Sequence, residues 1–321
     1  MFPKCFSKFR VSHGSSLVAA AAIGCLPVGM AGAALAGLAV GAGVAHAGAM
    51  YGVQFIGSEA TGTNAYNGTA LTSTQVAGVL PQDNFNVVTS ESTGNNLGSA
   101  GYVGLAGGPV TLVDSTGSNA AGVQFSWVDS NNWHTTTAGY TTPSTNGNNG
   151  ALFSAESQGS YGVTAGNSPG TYKFSNLAAG NYDLIAYTVN DSAPSSGAGY
   201  VGVVSVAVNG TSTGNTYYDP NQPEGVWIAN QSFVQATSTT LAGATTAANY
   251  VEFAGLNVPS AGGYITLSNL TPAGSTSAAA VNGLQLVAVP EPASLGLFAL
   301  GGMGLLLIKR RYTYRQAGDL V

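Results

Sequence analysis

Cationic side chains are what this chain of 321 residues lacks most. It carries eight lysines and arginines against thirteen acidic residues, and only 7% of its residues are charged. Between Gly48 and Val289 the only lysine or arginine is Lys173, while every acidic residue except Glu291 and Asp319 lies between Glu59 and Glu252. Phosphate recognition leans on guanidinium forks and lysine charges, so an arginine-free acidic body excludes nucleic acid as a partner. Cysteine is absent from the same region: Cys5 and Cys25 both precede it. The body therefore holds no disulfide, thiolate metal site or cysteine nucleophile, and its core rests on packing alone.

Histidine is nearly as scarce. His134 is the only one between Gly48 and the C-terminus, so a histidine-rich zinc site is excluded and a Ser-His-Asp triad would have to use it. It sits in SWVDSNNWHTTTAGY beside Asp129 and Trp133, which reads as a polar loop. Carboxylate pairs about 5 to 10 Å apart hydrolyse glycosides without histidine, but nothing in the sequence selects one pair from the acids present. The body reads as non-enzymatic; a secreted glycoside hydrolase built on a carboxylate pair is the alternative.

What is present is Gly, Ala, Ser, Thr and Asn in long stretches, with β-branched and aromatic segments between them. YGVQFI (51–56), FNVVT (85–89), VTLV (110–113), GVQFSWV (122–128), TYKFSNL (171–177), NYDLIAYTV (181–189), VGVVSVAVNG (201–210), YVEFAGL (250–256), GYITLSNL (263–270) and AAVNGLQLVAV (279–289) read as strands. In NYDLIAYTV both alternating faces carry apolar bulk, which predicts a strand covered on both sides. Asn209-Gly210 predicts a tight turn, because both residues tolerate positive φ. No stretch of the body shows a helical period. The expectation is an all-β fold, a jelly-roll-like β-sandwich forming one domain over residues 48–289.

Both ends differ from this body. MFPKCFSKFR is basic, and an Ala/Gly-rich apolar region from Leu17 to Val44 runs to Ala45-His46-Ala47. That is the form of a signal peptide over residues 1–47, cleaved after Ala47 by signal peptidase. An uncleaved anchor, or lipoprotein processing at Cys25, would use the same segment. At the other end Pro290-Glu291-Pro292 precedes an uncharged run from Ala293 to Ile308, about 24 Å long as a helix at ~1.5 Å per residue. Lys309, Arg310 and Arg311 close it. A short membrane helix over 293–308 with this cluster in the cytoplasm leaves the body outside, the side to which the leader would send it.

Pro-Glu-Pro, a short Leu/Gly/Ala-rich helix and a basic cluster together resemble the PEP-CTERM sorting signal of Gram-negative bacteria, here spanning residues 290–321. The opening Val289, Pro290, Glu291, Pro292, Ala293 and Ser294 matches closely; YTYRQAGDLV after the cluster departs from the usual ending. The resemblance implies processing by an exosortase, a membrane enzyme, and association with exopolysaccharide at the cell surface or in the extracellular matrix. VAGVLPQDNFN (76–86), TYKFSNLAAGNYDLIAYTVND and GYITLSNLTP resemble the jelly-roll bodies of exported proteins with this signal, which are similar to carbohydrate-binding modules.

Candidate ligand contacts follow from residue chemistry. Exposed aromatic faces suit pyranose rings, which singles out Trp133, Trp127, Trp227 and Tyr217. Asp219, Asn221 and Glu224 in YYDPNQPEG supply hard oxygens on a proline-punctuated loop, the donor set of a calcium site, and Asn190-Asp191-Ser192 is a smaller group of the same kind. Asp and Asn that cap turns give the same pattern, so no cofactor is required.

Overall fold

The structure is a computed structural model that describes residues 48–59, 69–92, 105–119, 121–129, 131–134, 143–159, 169–190, 201–220, 222–223, 232–272 and 279–290. The chain divides into two units, Met1–Ala45 and His46–Val321. All described residues belong to the second. Among them no helix is long and apolar enough to cross a membrane; residues 293–308 lie outside the described residues.

Two sheets face each other. One is built, in order across the sheet, from β13 (Tyr250–Val258), β8 (Gly180–Tyr187), β16 (Gly283–Val289), β1 (Met50–Glu59) and β2 (Asn86–Ser92). The other is built, again in order, from β11 (Thr211–Pro220), β10 (Val201–Val208), β14 (Gly263–Leu270), β7 (Gly170–Leu177), β4 (Gln124–Asp129) and β3 (Leu105–Thr111). Pairing within these two sheets is antiparallel except between β1 and β2, which run parallel. The period-2 alternation of strands sets the core: Phe125, Trp127, Tyr172, Phe174, Ile265, Leu267, Val204 and Val206 point inward from the six-stranded sheet. They meet Tyr51, Val53, Phe55, Tyr182, Leu184, Ala186, Leu284 and Leu286 from the five-stranded one. Phe55 lies edge-on to Tyr172 with ring centroids 5.4 Å apart, and Phe125 packs on Phe174 at 5.0 Å. This is the all-β sandwich that the strand pattern predicts.

A third layer covers the outer face of the five-stranded sheet. Residues 69–85 and a helix, α1 (Pro143–Leu152), lie over it, and Leu71, Ala77, Phe85, Leu152 and Phe153 enclose Ile185 and Tyr187 in a second core. The two apolar faces of NYDLIAYTV are thus both used. The sheet holds this cover through polar side chains that reach outward. Gln54 Nε2 donates to the carbonyls of Thr69 (2.8 Å) and Ala151 (2.6 Å), and its Oε1 accepts from Leu71 N at 2.8 Å. Gln285 Nε2 donates to Leu80 O at 2.8 Å, and Tyr187 Oη donates to Gln285 Oε1 while accepting from Val79 N. α1 corrects the expectation of a helix-free body. Its sequence, PSTNGNNGAL, has no apolar stripe, and burial of Ala151, Leu152 and Phe153 holds it where propensity alone would not.

Other elements are short: β5 (Asn131–His134), β6 (Ala155–Gly159) and β15 (Ala279–Val281) form a small sheet, and β9 (Val189–Asn190) pairs with β12 (Gln222–Pro223). β5 corrects the loop expected around His134. Sheet edges often carry lysines that block pairing with other chains, but the one lysine of this body, Lys173, lies on the inner strand β7. Bulges stand at three of the four edges instead. Gly108-Pro109 of β3 opposes Ser126, Thr213-Gly214-Asn215 of β11 opposes Val206, and Ala254-Gly255 of β13 opposes Asp183. Gly108, Gly214 and Gly255 all have positive φ, which bends each edge and breaks its ladder.

Candidate functional site

The strand registers give the sandwich two unlike ends. At one end the connections are short. Asn209 (φ 50°) and Gly210 (φ 78°) join β10 to β11 in the tight turn the sequence predicts. Ala178-Ala179 joins β7 to β8, and residues 259–262 join β13 to β14. Both chain ends of the body leave here: Met50 starts β1 opposite Val287, and β16 ends at Val289, one residue before the exposed Pro290. The hydrogen bond from Ser115 N, just past β3, to Met50 O (2.8 Å) ties this end of the two sheets together.

At the other end the chain leaves β1, β2, β4, β8, β11 and β14 and enters β3, β7, β10, β13 and β16. The sequence between those points is long, as in residues 93–104 and 191–200. Beneath this end sit the buried carboxylates. Asp129 closes β4 at 2% exposure, Glu156 lies in β6 at 0%, and Asp219 lies near the end of β11 at 0%. Asp83, Asp114, Asp183 and Glu252, elsewhere in the body, keep contact with solvent.

Each buried acid is tied to its neighbours. Ser157 Oγ donates to Asp129 Oδ2 at 2.5 Å and lies 2.9 Å from Tyr172 Oη, and Gln158 Nε2 donates to Glu156 Oε1. Burial, reinforced by the Asp129 charge, pushes the Tyr172 phenol well above its ordinary value; Ser157 opposes that rise and Glu156 adds to it. Tyr172 therefore keeps its proton and serves as a donor. Burial also pushes Asp219 from 3.8 up to about 7, a rise that the neighbouring Thr188 hydroxyl opposes only in part. Nothing in the sequence marks Asp129 or Glu156 as buried, except that both stand beside apolar or small residues at strand ends.

Several residues singled out by their chemistry stand elsewhere than expected. Asp219 is not on a loop: it is paired with Gly202 inside β11, which runs on through Pro220 because an edge strand tolerates the missing N–H. Asn221 and Glu224 lie outside the described residues, and among those described no three His, Cys, Asp or Glu side chains could hold a metal. Trp127 is a core residue, 5% exposed, stacked on Phe125 at 5.7 Å. A Cβ on Gly107 across the strand would fall 2.1 Å from its Cζ2, so the indole has no open face for a sugar. Tyr217 likewise turns inward, 5.2 Å from the ring of Phe253. Trp133 lies on β5, with its side chain outside the described ones, as is all of Trp227. Ala45 and Ala47, and Glu291, Pro292, Lys309, Arg310 and Arg311, also lie outside the described residues.

Sequence reasoning passed over the outer face of the six-stranded sheet. There the half-buried positions alternate with the core ones, and on the inner strands hydroxyls recur: Ser126 on β4, Thr171 and Ser175 on β7, Thr266 and Ser268 on β14; on β10 Ser205 stands among Val201, Val203 and Ala207. Lys173 is in register with Ser126 on one side and Thr266 on the other. Its Nζ stands 4.1 Å from the ring centroid of Tyr264. The backbone of Tyr264 is pinned to the turn, donating to Asn209 Oδ1 at 2.8 Å and accepting from Asn209 N at 2.9 Å.

A two-sheet sandwich whose last strand runs straight into Pro290 is a β-sandwich protein with a contiguous C-terminal signal. That signal has a name: residues 288–311 match the PEP-CTERM protein-sorting motif. The motif implies export, sorting to the cell surface and processing by an exosortase. Its first two residues, Ala288 and Val289, are the last two of β16.

No curated protein matches the chain. Among solved structures, it is similar to the exo-β-1,3-galactanase of Phanerochaete chrysosporium in complex with galactose, at 18% identity and a TM-score of 0.21, covering 41% of this chain and 23% of that one. It is similar to a family 35 carbohydrate-binding module from Clostridium thermocellum at 16% identity and a TM-score of 0.23, covering 42% of this chain and 88% of that one. For the isomalto-dextranase of Arthrobacter globiformis T6 complexed with panose the values are 14% and 0.25, covering 57% of this chain and 22% of that one.

Proposed function

We propose that this chain is a non-enzymatic protein of the cell surface or extracellular matrix whose jelly-roll-like body binds exopolysaccharide. The observation that carries the reading is the contiguity of β16 with the sorting motif at the end where both termini of the body emerge. Only Pro290, Glu291 and Pro292 separate the strand from the apolar run, about 10 Å of extended chain at ~3.3 Å per residue. With residues 293–308 in the bilayer and Lys309, Arg310 and Arg311 on the cytoplasmic side, the short-turn end sits at the membrane. The long connections then face outward, where a polymer is met. The leader, residues 1–47, delivers the body to that side and is removed by signal peptidase.

Two features favour binding over catalysis. The three buried carboxylates are sealed from solvent, and Asp129 and Glu156 accept from Ser157 and Gln158, so none of them faces an approaching glycosidic oxygen. The outer face of the six-stranded sheet carries rows of hydroxyls on β4, β7 and β14, which suit an extended polar chain. No cofactor is needed for either.

The sorting half of the reading is tested in a host that has the exosortase. Glu291→Ala, or deletion of Lys309 to Arg311, leaves unprocessed precursor in the membrane; normal processing of both variants would refute it. The binding half is tested with the full chain as the exporting host releases it, against a panel of polysaccharides with and without calcium. Retention by at least one polymer is expected, and failure to bind any would leave a purely structural role.

A further inference from the structure

We infer that the outer face of the six-stranded sheet, centred on Lys173, is a binding site for a carboxylated polysaccharide, a polymer of uronic acid type. The inference rests on the polysaccharide-binding reading and names its face and its ligand class.

The first ground is where the body keeps its one cation. Lysine on a β protein ordinarily guards an edge or pairs with an acid. Lys173 does neither. It lies on β7, an inner strand flanked by β4 and β14. Among the described residues its partner is the Tyr264 ring, and no carboxylate stands on this face. In a body otherwise rich in acids, this is the one described surface where an approaching carboxylate meets a positive charge and no negative one. Elsewhere the acidic surface repels such a polymer, so the same charge distribution that attracts it here sets its register.

The second ground is what surrounds the ammonium. Ser126 and Thr266 stand directly across the strands from Lys173, and Thr171 and Ser175 stand two positions along its own strand on the same face. Directly opposed side chains on a sheet lie about 5 Å apart, so a sugar ring whose carboxylate meets Nζ has hydroxyl partners within reach on every side. Each hydroxyl can both donate and accept, as sugar hydroxyls require. The third ground is preorganisation. Tyr264 is fixed by the Asn209 turn, and its ring holds the lysine head in place, so little side-chain freedom remains to be lost on binding.

The test uses the full chain as released by the exporting host, in low salt, with polygalacturonate, dextran sulfate and a neutral dextran as probes. Polygalacturonate is expected to bind, Lys173→Gln to weaken it about tenfold, the value of one lost charge-assisted hydrogen bond, and Lys173→Glu to weaken it further. Lys173→Arg should restore most of the affinity, and Glu252→Gln on the opposite sheet should leave it unchanged. Binding of neutral dextran, if present, should not respond to Lys173. Polygalacturonate affinity unaltered in Lys173→Gln would overturn the site, and dextran sulfate bound as tightly as polygalacturonate would overturn the carboxylate assignment. Retention of neutral polymer alone would leave the surface-binding reading standing and overturn this inference, whereas no retention of any polymer would overturn both.

Discussion

The two ends of the sandwich solve different problems with the same residue types. At the short-turn end, polar residues close the chain: Asn209, Gly210 and Gly262 take positive φ, and Asp114 accepts from Thr116 N, Thr116 Oγ1 and Ser118 N. Partial burial pushes the Asp114 carboxyl up, but the three bonds together outweigh it and hold the group below its ordinary value. At the long-connection end, Asp129, Glu156 and Asp219 are instead taken out of water. A scaffold selected for stability alone would place apolar residues at such positions, since burying an acid is costly even when it is hydrogen-bonded. The difference sets the two ends apart: one end is built to close, and the other carries polar burial that stability does not ask for.

The comparison breaks most visibly at Asp219. Its folded-state value, about 7, is above the ordinary 3.8, so the folded protein holds the proton more tightly than the unfolded one. The stability this group contributes is full below about pH 4 and is lost as pH rises toward 7. A rise of that size corresponds to about 4 kcal/mol. Asp219→Asn should therefore match the natural chain in denaturant unfolding at pH 4 and exceed it by up to that amount at pH 8. An identical pH dependence in the two proteins would show that the carboxyl is not sealed as described.

A smaller effect is expected at Asp129. Ser157→Ala removes the hydroxyl that joins Asp129 to Tyr172 and should cost about 2 kcal/mol at neutral pH. The loss should shrink in a Tyr172→Phe background, because the two hydroxyls share one network and their effects do not add. Full additivity in that cycle would separate Tyr172 from the carboxylate.

Much of the scaffold was legible because its strands announce themselves. β7, β8, β10, β14 and β16 are β-branched or aromatic with clear alternation, and Asn209-Gly210 marks its own turn. β5, β6, β11 and α1 were not, for a common physical reason. NNWH, AESQG, TSTGNTYYDP and PSTNGNNGAL have weak local preference, and they take their form from what they pack or pair against. β11 is the clearest case: the turn at Asn209-Gly210 lays it against β10, whatever its own residues prefer. The candidate residues followed the same division. Val123, Phe125 and Trp127 alternate with Gln124, Ser126 and Val128, so the core position of Trp127 could have been read from period two. The proline punctuation that suggested a loop at Asp219 gave no sign of its burial. Lys173 was conspicuous in the sequence as a solitary charge, but only the registers of β4, β7 and β14 show what surrounds it.

The smallest effect is expected at the short-turn end, and it differs in kind as well as size. Gly262 has φ 80° and nothing within 4 Å of where a Cβ would stand, so Gly262→Ala meets strain of the backbone and no clash. The loss should be about 1 kcal/mol, the usual penalty for a residue with a Cβ in the left-handed region. Gly262→Asn should recover part of it, because asparagine tolerates that conformation. Neither change touches an ionisable group, so the deficit should be equal at pH 4 and pH 8, where that of Asp219 is not. A pH-dependent deficit at Gly262 would mean that the two ends are electrically coupled, and that the short-turn end is more than a closure.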